Sequence, residues 1–381
     1  MTTKIYLKRM KKTLWKNKMK RNLLILSFSL MTTFFLSGCA KEPNDVGFGL
    51  LPENELFNVR VYEDSVEIYA ENIETFISNS TSNILLIGNY DNISCGILIR
   101  FDIPDTLKDI KMEWAQIRLF RSKFFIGDST IPIHFTAHKV LSNYYDTLYE
   151  ARAIGEFRGV PDSVNYFKID TGVVREWLNG KNYGLYLKPR NSGVIRGFNS
   201  LDEMLFTPAL EIVIPKQDKL DTIRFFYGSD GYIARLNERI DTNYIVLQAG
   251  VGIRSILKFG ISNLPKNIIV NRAEVVLYLK ERKKYGGGVD SLLASFITDV
   301  DLAKKSIGGF EGNYLGLRNQ LDTIEYTIPV TTPVQRWVNG EANNGILIRP
   351  FSEVDNFDRF VFYYKTKRPK LKIYYTTKPG I

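Results

Sequence analysis

An internal repeat is the feature that most restricts how this chain can fold. An apolar stretch ending at Phe101 is followed, fourteen residues later, by a second apolar stretch that begins at Ala115. Phe259 precedes Ala273 by the same interval. The two sets lie roughly 160 residues apart. Two copies of one domain are the simplest origin of this spacing, because each copy then carries the same elements in the same order.

Further matches extend the repeat over most of the chain. Residues 174–180 correspond to residues 334–340, and each segment contains a Trp followed by an apolar residue, Asn and Gly. Both copies close with a strand-like run after a proline, at Pro208 and Pro369. The predicted segments are a signal peptide at 1–38, a tether at 39–57, a first repeat at 58–215, a linker at 216–221 and a second repeat at 222–381.

Alternation of apolar and polar residues with a period of two predicts that both copies are all-β. Each copy has room for one short helix. In the second copy Thr332 is a candidate N-cap, Pro333 suits the first turn and Gly340 ends the helix. Trp337, like Trp177 in the first copy, falls on the apolar face of its helix, which predicts a structural lid. A length of about 160 residues per copy favours a jelly-roll-like β-sandwich over a small barrel.

The N-terminal region has the pattern of an export signal. Lysines and arginines precede an apolar run from Leu23 to Phe35, which is too short for a membrane-spanning helix. The sequence Leu36-Ser37-Gly38-Cys39 resembles the bacterial lipobox. That resemblance implies diacylglycerol transfer to the Cys39 sulfur and cleavage before it, so that the lipid anchors the protein to the outer membrane.

Removal of residues 1–38 changes the charge of the chain. These residues contain nine of the 51 basic residues and no acidic residue, which leaves 42 basic against 41 acidic residues in the mature chain. The net charge of +10 therefore belongs mostly to the signal peptide. A nearly neutral mature chain argues against nucleic acid as a partner. With Cys39 lipidated, Cys95 has no partner for a disulfide within one chain.

The repeated elements resemble the DNRLRE domain. The resemblance rests on the strand ending at Phe101-Asp102, the Ala115 strand, the Trp177 helix, the Tyr183-Gly184 turn and the strand after Pro208. It implies a jelly-roll module of secreted and surface proteins that is related to carbohydrate-binding modules for acidic polysaccharides. The first copy departs from the pattern, since it lacks the Leu-Pro pair that the second copy has.

A second resemblance concerns the start of the mature chain. Residues 45–52 resemble the opening of an uncharacterised group of Bacteroidetes-type lipoproteins. Lys41-Glu42, with Asp45 nearby, partly resembles the signal that directs such lipoproteins to the cell surface. Both resemblances imply a location at the surface and say nothing about chemistry.

Aromatic residues are the candidates for sugar binding, because a ring can stack on the apolar face of a pyranose. Trp177 and Trp337 would suit this role, but their apolar neighbours favour a place in the core. Tyr144, Tyr145 and Tyr285 lie in loops that interrupt the repeat and are the predicted ligand-contacting residues.

Oxygen-bearing residues gather in one predicted loop of the second copy. Glu353, Asp355, Asn356 and Asp358 are candidate ligands of a structural calcium ion, which needs six to eight oxygens. A solvated acidic turn is the alternative. No other cofactor is predicted.

The two histidines do not predict a zinc site. His134 and His138 are four residues apart in a strand-like segment, which separates them by about 13 Å. One zinc ion cannot be bound by both at that distance. The sequence therefore predicts a solvent-facing row.

The triplet of Asp, then Ser or Thr, then an apolar residue or Thr recurs at eight positions and resembles the O-glycosylation signal of the same bacterial group. The alternative is that these residues favour turns between strands. At seven of these positions the acceptor residues would be Ser65, Thr106, Thr147, Ser163, Thr222, Ser291 and Thr323.

These features predict a lipid-anchored, non-catalytic surface module that binds polysaccharide. Two alternatives remain open. One is a structural or assembly lipoprotein whose strand edges pair with an outer-membrane protein partner. The other is a carbohydrate-active enzyme, although the chain has no nucleophile, phosphate-loop or zinc motif.

Overall fold

A computed structural model of the chain describes residues 59–64, 68–75, 79–108, 110–142, 148–191, 193–305, 308–322 and 324–377. The chain divides into two units, Met1–Val59 and Arg60–Ile381. The predicted signal peptide, the tether and Cys39 lie outside the described residues. No helix within the described residues is long and apolar enough to cross a membrane.

The N-terminal part of the described chain is almost entirely strand, as the period of two predicts. A nine-residue helix, α1 (Thr171–Asn179), and a 3₁₀ turn (Asp105–Leu107) interrupt the strands. The strands are β1 (Val59–Asp64), β2 (Ile68–Glu74), β3 (Ile84–Tyr90), β4 (Ile93–Phe101), β5 (Trp114–Gly127), β6 (Ile133–Val140), β7 (Tyr149–Gly159), β8 (Val164–Ile169), β9 (Leu185–Pro189), β10 (Val194–Asn199), β11 (Ala209–Lys216), β12 (Lys219–Phe225) and β13 (Gly228–Leu236).

The C-terminal part repeats this order with one addition. Helix α3 (Thr331–Val338) corresponds to α1, whereas helix α2 (Val300–Lys304) has no counterpart among the described residues of the N-terminal part and was not expected from the sequence. The strands are β14 (Tyr244–Gln248), β15 (Ile253–Phe259), β16 (Ile268–Lys283), β17 (Ser291–Ile297), β18 (Phe310–Arg318), β19 (Glu325–Pro329), β20 (Ile346–Pro350), β21 (Arg359–Tyr363) and β22 (Lys370–Thr377).

Each half closes a ring of eight antiparallel strands. In the first the order is β10-β3-β4-β9-β6-β7-β8-β5, and β5 pairs back to β10. In the second the order is β21-β14-β15-β20-β17-β18-β19-β16, and β16 pairs back to β21. The equivalent strands occupy equivalent places. The fold is therefore two tandem all-β domains of sandwich-like form, which confirms the predicted class.

Three further strands add to each closed ring. Two of those that join the second ring, β1 and β2, come from the N-terminal end of the described chain. β11 and β12 extend the first ring from β5, and β13 pairs along β4. β22 and β1 extend the second ring from β16, and β2 pairs along β15. We call β3–β13 the first sandwich, and β1, β2 and β14–β22 the second sandwich.

The predicted linker at 216–221 is part of a β-hairpin. Lys216 pairs with Lys219, and the ladder continues to Leu210 and Phe225. Gln217 has a φ of 54°, the left-handed conformation that a two-residue hairpin turn requires. The sheets therefore cross the predicted repeat boundaries, because strands on both sides of the turn belong to the first sandwich.

Each sandwich has its own apolar core closed by a helix at one end. Trp177 on α1 and Trp337 on α3 are each 5% exposed and belong to the two large core clusters. Asp170 caps α1 by accepting a hydrogen bond from the Gly172 amide at 2.7 Å. The predicted cap of α3 was wrong, since the helix begins at Thr331 after Val330 and has no side-chain cap.

Candidate functional site

The predicted aromatic residues do not form a binding surface together. Trp177 and Trp337 are buried in the cores, and Tyr144 and Tyr145 lie outside the described residues. Tyr285 is half-buried and joins the two sandwiches: its hydroxyl donates to Asp91 at 2.5 Å. Burial and this hydrogen bond raise the pKa of Tyr285.

The four calcium candidates lie in a loop whose carboxylates already have basic partners. Glu353 accepts two hydrogen bonds from Arg254, both at 2.8 Å. Asp358 accepts from the Tyr285 amide at 2.7 Å and from Arg282 at 3.2 Å. No group of three or more His, Cys, Asp or Glu side chains among the described residues has a metal-binding arrangement.

The remaining two candidates are also engaged. Asn356 is 2% exposed, and its side-chain oxygen accepts from the Asp358 amide at 3.0 Å. Asp355 accepts a hydrogen bond from Ser82 of the first sandwich. The loop thus joins the two sandwiches and offers an ion few free oxygens. Calcium binding there stays a prediction.

The histidines do not form the predicted solvent-facing row. His134 is half-buried and lies 2.6 Å from a carboxylate oxygen of Glu156. His138 is only 1% exposed, because its ring is hydrogen-bonded to Thr136 at 2.8 Å and to the Glu150 carbonyl at 2.9 Å. Burial lowers the pKa of His138.

The glycosylation candidates divide by exposure. Thr106 and Ser163 are exposed and Thr222 is half-buried. Ser291 is 7% exposed and is the least accessible of the acceptors that the structure describes. Ser65, Thr147 and Thr323 lie outside the described residues.

The described residues contain a basic cleft that the sequence did not predict. It lies on the first sandwich where the second half of β5 meets β10, and its volume is about 410 Å³. The strands shift register between Arg196 and Phe198. A Cβ on Gly197 would lie 2.3 Å from the Ser122 hydroxyl oxygen, so glycine allows the two strands to approach at this bulge. The lining residues are Arg121, Ser122, Lys123, Phe124, Phe125, Ser129, Ser163 and Arg196.

Arg196 is the most unusual residue of the cleft. Its side chain donates to the Ser129 carbonyl, but its Nε is buried and has no hydrogen-bond partner among the described residues. The residue is 4% exposed. Burial and the neighbouring Arg121 lower the pKa of Arg196, although an arginine remains charged under all ordinary conditions. A buried cation of this kind is strongly stabilised by an anion that enters the cleft.

The other cations of the cleft are also not neutralised within the protein. Arg121 donates to the Pro161 carbonyl at 3.1 Å, and Lys123 is exposed. None of the three cleft cations is in an ion pair with a carboxylate among the described residues. The charge of Asp128 favours the charged form of Arg196, and the Asp128 carboxylate accepts hydrogen bonds from the amide and hydroxyl of Thr130.

Aromatic rings extend from the cleft along β5. Phe125 is 48% exposed, and the Arg196 guanidinium lies 5.6 Å from its ring centroid. Earlier on the strand, the ring centroid of Phe120 lies 5.5 Å from that of Phe206, and Phe206 is 66% exposed. Arg118 lies 5.0 Å from the Phe120 ring. The exposed Phe125 and the half-buried Phe120 thus lie near cations on β5, and the exposed Phe206 contacts Phe120 from a neighbouring loop.

This arrangement suits a ligand with negative charges and flat apolar faces. Guanidinium and ammonium groups bind carboxylates and sulfates, and an exposed ring can stack on a sugar. The hydroxyls of Ser122 and Ser163 add donors and acceptors. The sequence did contain a signal for this cleft. Arg121, Lys123 and Phe125 occupy every second position of β5, so all three lie on one face of the strand.

One carboxyl group of the first sandwich is perturbed without belonging to the cleft. Asp230 on β13 is 5% exposed, and burial raises its pKa from 3.8 to about 7. It accepts a hydrogen bond from the Leu201 amide at 2.6 Å. Paired-carboxylate catalysis requires a second inward-facing acid, and the acid that interacts with Asp230, Asp202, is exposed.

Two of the solved structures that match this chain do so with very low similarity. A chain titled BspA_C_WT is 11% identical with a TM-score of 0.16, and the match covers 81% of this chain and 92% of that chain. The Streptococcus agalactiae AgI/II polypeptide BspA C terminal domain is 10% identical with a TM-score of 0.16, with coverage of 82% and 92%. Such TM-scores carry no argument. No protein-family model and no curated protein matches the chain.

Proposed function

We propose that this protein is a lipid-anchored, non-catalytic module of the cell surface that binds an anionic polysaccharide through the basic cleft of its first sandwich. The observation that carries the proposal is Arg196, a buried cation that lacks a carboxylate partner and lines a cleft of about 410 Å³. Anchoring through Cys39 follows from the lipobox resemblance and would hold the module at the outer membrane.

A polymer fits the geometry better than a small anion does. Arg196, Arg121 and Lys123 supply charge at one place, and the exposed Phe125 adds a surface for stacking. The aromatic residues at Phe120 and Phe206 continue the contact surface along the sandwich. A small inorganic anion would use the cations and leave these rings exposed, whereas successive sugars would cover both.

A panel of neutral and anionic polysaccharides in affinity gel electrophoresis tests the proposal. The mature chain should be retarded by an anionic polymer and not by its neutral counterpart. Retardation should weaken as salt is added, because salt screens the exposed charges of the cleft. Equal retardation by both polymers, or by neither, would contradict the proposal.

Charge reversal at Lys123 assigns the binding to the cleft. Lys123→Glu removes one cation and adds a repelling charge, so we expect affinity to fall about tenfold or more, the equivalent of ~1.5–3 kcal/mol for a hydrogen bond to a charged group. Lys258→Glu makes the same change on an exposed lysine of the second sandwich and should retain full retardation. If the two variants behave alike, the cleft is not the binding site.

A second candidate function, assembly with a protein partner through strand pairing, is favoured by a different observation. Strands from the N-terminus complete the second sandwich, although roughly 180 residues separate them from the strand that they join. Pairing of this kind does not require both strands to belong to one chain.

A further inference from the structure

The two sandwiches exchange their completing strands. β13 pairs along β4 from Gly228 opposite Phe101 to Leu236 opposite Ile93. β2 pairs in the equivalent place along β15, with Ile68 opposite Phe259. Phe101 and Phe259 are the equivalent residues of the internal repeat. Strands β12 and β13, which begin the second repeat, therefore complete the first sandwich. Strands β1 and β2, which begin the first repeat, complete the second sandwich.

The two donated strand pairs differ in how the chain connects them to their acceptors. β12 follows β11 after a two-residue turn, so the first sandwich is completed by its immediate neighbour in sequence. β2 lies against β15, and the side chains of Asn72 and Ser255, 183 residues apart, are hydrogen-bonded at 2.7 Å. Covalent connection thus fixes the donor of the first sandwich but not the donor of the second.

Specific contacts hold β2 in its place. Asn72 donates to the Tyr244 carbonyl at 2.9 Å and accepts from the Val246 amide at 3.0 Å. Glu71 forms an ion pair with Lys304 of α2 at 2.7 Å. Helix α2 has no counterpart among the described residues of the first sandwich, and through Lys304 it contacts this strand.

Apolar burial adds to these polar contacts. Ile73 is 7% exposed and packs in a small cluster with Ile256, Ile297, Ala303 and Leu347, all from the second sandwich. The ladder between β2 and β15 runs over seven residue pairs. Nothing in this set of contacts depends on which molecule supplies the strand.

We propose that β1–β2 is an exchangeable donor and that the second sandwich of one molecule accepts this strand pair from a second copy of the same chain. The contacts that β2 makes with β14, β15 and α2 are the same in the exchanged and unexchanged forms, so the equilibrium depends on protein concentration and on the connection between β2 and β3. The N-terminal strands of one molecule thus join the second sandwich of the next molecule, which is a head-to-tail arrangement. It yields a closed dimer when two molecules exchange reciprocally and a longer chain when they do not.

Disulfide trapping between two single variants tests the proposal. Tyr69 on β2 faces Lys258 on β15 in the register, and both side chains are exposed. The mature chain without Cys39 retains only Cys95, which is 1% exposed. Tyr69→Cys and Lys258→Cys chains are mixed at high concentration, unfolded and refolded together, and then oxidised. We expect a covalent product of twice the chain mass that contains one chain of each kind.

Three controls make the result decisive. The double variant Tyr69→Cys/Lys258→Cys, refolded when dilute, should form the bond within one chain and so shows that the geometry permits it. Tyr69→Cys mixed with Leu321→Cys, at a residue that is 99% exposed, measures random collision. Ser94→Cys mixed with Arg235→Cys tests the equivalent positions of β4 and β13, where the short turn should keep pairing within one chain.

The outcomes separate clearly. The proposal is supported if the Tyr69→Cys and Lys258→Cys chains form a mixed dimer well above the Leu321→Cys background. The β4 and β13 variants should form little mixed dimer. A mixed dimer at background level would overturn the proposal, provided that the dilute double variant forms its bond. Equal dimers at both strand pairs would indicate general mispairing during refolding and would also overturn it.

Discussion

The two sandwiches have the same arrangement of eight ring strands. They differ in whether a deeply buried arginine is paired with a carboxylate. In the second sandwich, Arg254 and Glu353 are each 8% exposed at the side chain and pair at 2.8 Å. Arg282 pairs with Asp290 at 2.7 Å and with Asp358 at 3.2 Å. In the first sandwich, Arg196 is equally buried but has no carboxylate partner among the described residues.

The difference shows which charges serve the fold and which are available to a ligand. A buried cation is costly unless an anion compensates it. The second sandwich supplies that anion itself; burial alone would raise the pKa of Asp290, but hydrogen bonding by Tyr326 and the charge of Arg282 lower it. In the first sandwich no carboxylate among the described residues forms an ion pair with Arg196, so an anion from outside the protein can serve as its partner. This contrast locates the proposed binding site in one of two closely similar domains.

The largest predicted effect is the loss of a buried pair in the second sandwich. Glu353→Ala leaves Arg254 buried without its partner and also removes the contact of Arg349 at 3.2 Å. We expect the free energy of unfolding to fall by about 3–5 kcal/mol. Denaturant unfolding followed by circular dichroism measures it.

Glu311→Ala is the matched control for that substitution. Glu311 pairs with Arg336 at 2.9 Å, but 60% of its side chain is exposed. The expected loss is less than about 1 kcal/mol, because solvent screens the pair. Equal losses for the two variants would show that the arginine pairs of the second sandwich do not stabilise its fold.

The next effect depends on pH and belongs to the first sandwich alone. Burial raises the pKa of Asp230 from 3.8 to about 7, so the folded state binds this proton more tightly than the unfolded state does. Stability is then highest below pH 4 with respect to this group and is lost as pH rises through about 7. Asp230→Asn should remove the loss and stabilise the protein by roughly 2–4 kcal/mol at pH 8, at about 1.4 kcal/mol per pKa unit.

Unfolding at low and high pH checks this sign. The variant and the parent should have similar stability near pH 4, diverge as pH rises from 4 to 7, and differ by a constant amount above pH 7. Asp218→Asn, at an exposed position of the β11–β12 turn, should change nothing. The equivalent place in the second sandwich holds Ala70, opposite Leu257, so no corresponding pH effect is expected there. A parallel pH profile for parent and Asp230→Asn would contradict the assignment.

The smallest predicted effect on stability accompanies a large effect on binding. Arg196→Met replaces an uncompensated buried cation with an apolar side chain of similar length. We expect the free energy of unfolding to stay within about 1 kcal/mol of the parent or to increase, because no ion pair is lost. Retardation by the anionic polysaccharide should disappear. A loss of stability as large as that of Glu353→Ala would mean that Arg196 serves the fold, and the contrast between the sandwiches would fail.

The sequence predicted local structure better than it predicted long-range pairing. The period of two located strands such as β5 and β16, and the helix signals located α1 and α3, since these depend on neighbouring residues. The pairing of β2 with β15 could not be predicted, because alternation shows which face of a strand is buried and not which strand lies beside it. The same limit applies to residues 216–221, which the sequence predicted as a linker and which form part of the β11–β12 hairpin.

The candidate site shows the same limit. Arg196 lies 71 residues after Phe125 in the sequence, and only the pairing of β5 with β10 brings them together. The predicted calcium loop failed to reveal its arginine partners because Arg254 and Arg282 lie on other strands. Single residues with unusual chemistry were visible in the sequence, whereas their partners were not.

Hydrogen–deuterium exchange with and without the retarding polysaccharide tests the central claim most directly. Binding in the cleft predicts protection of amides in residues 121–129 and 194–197, with the equivalent segments of β16 and β21 unchanged. Protection confined to the second sandwich, or absent from both cleft segments under saturating polysaccharide, would contradict the assignment of the binding site to the first sandwich.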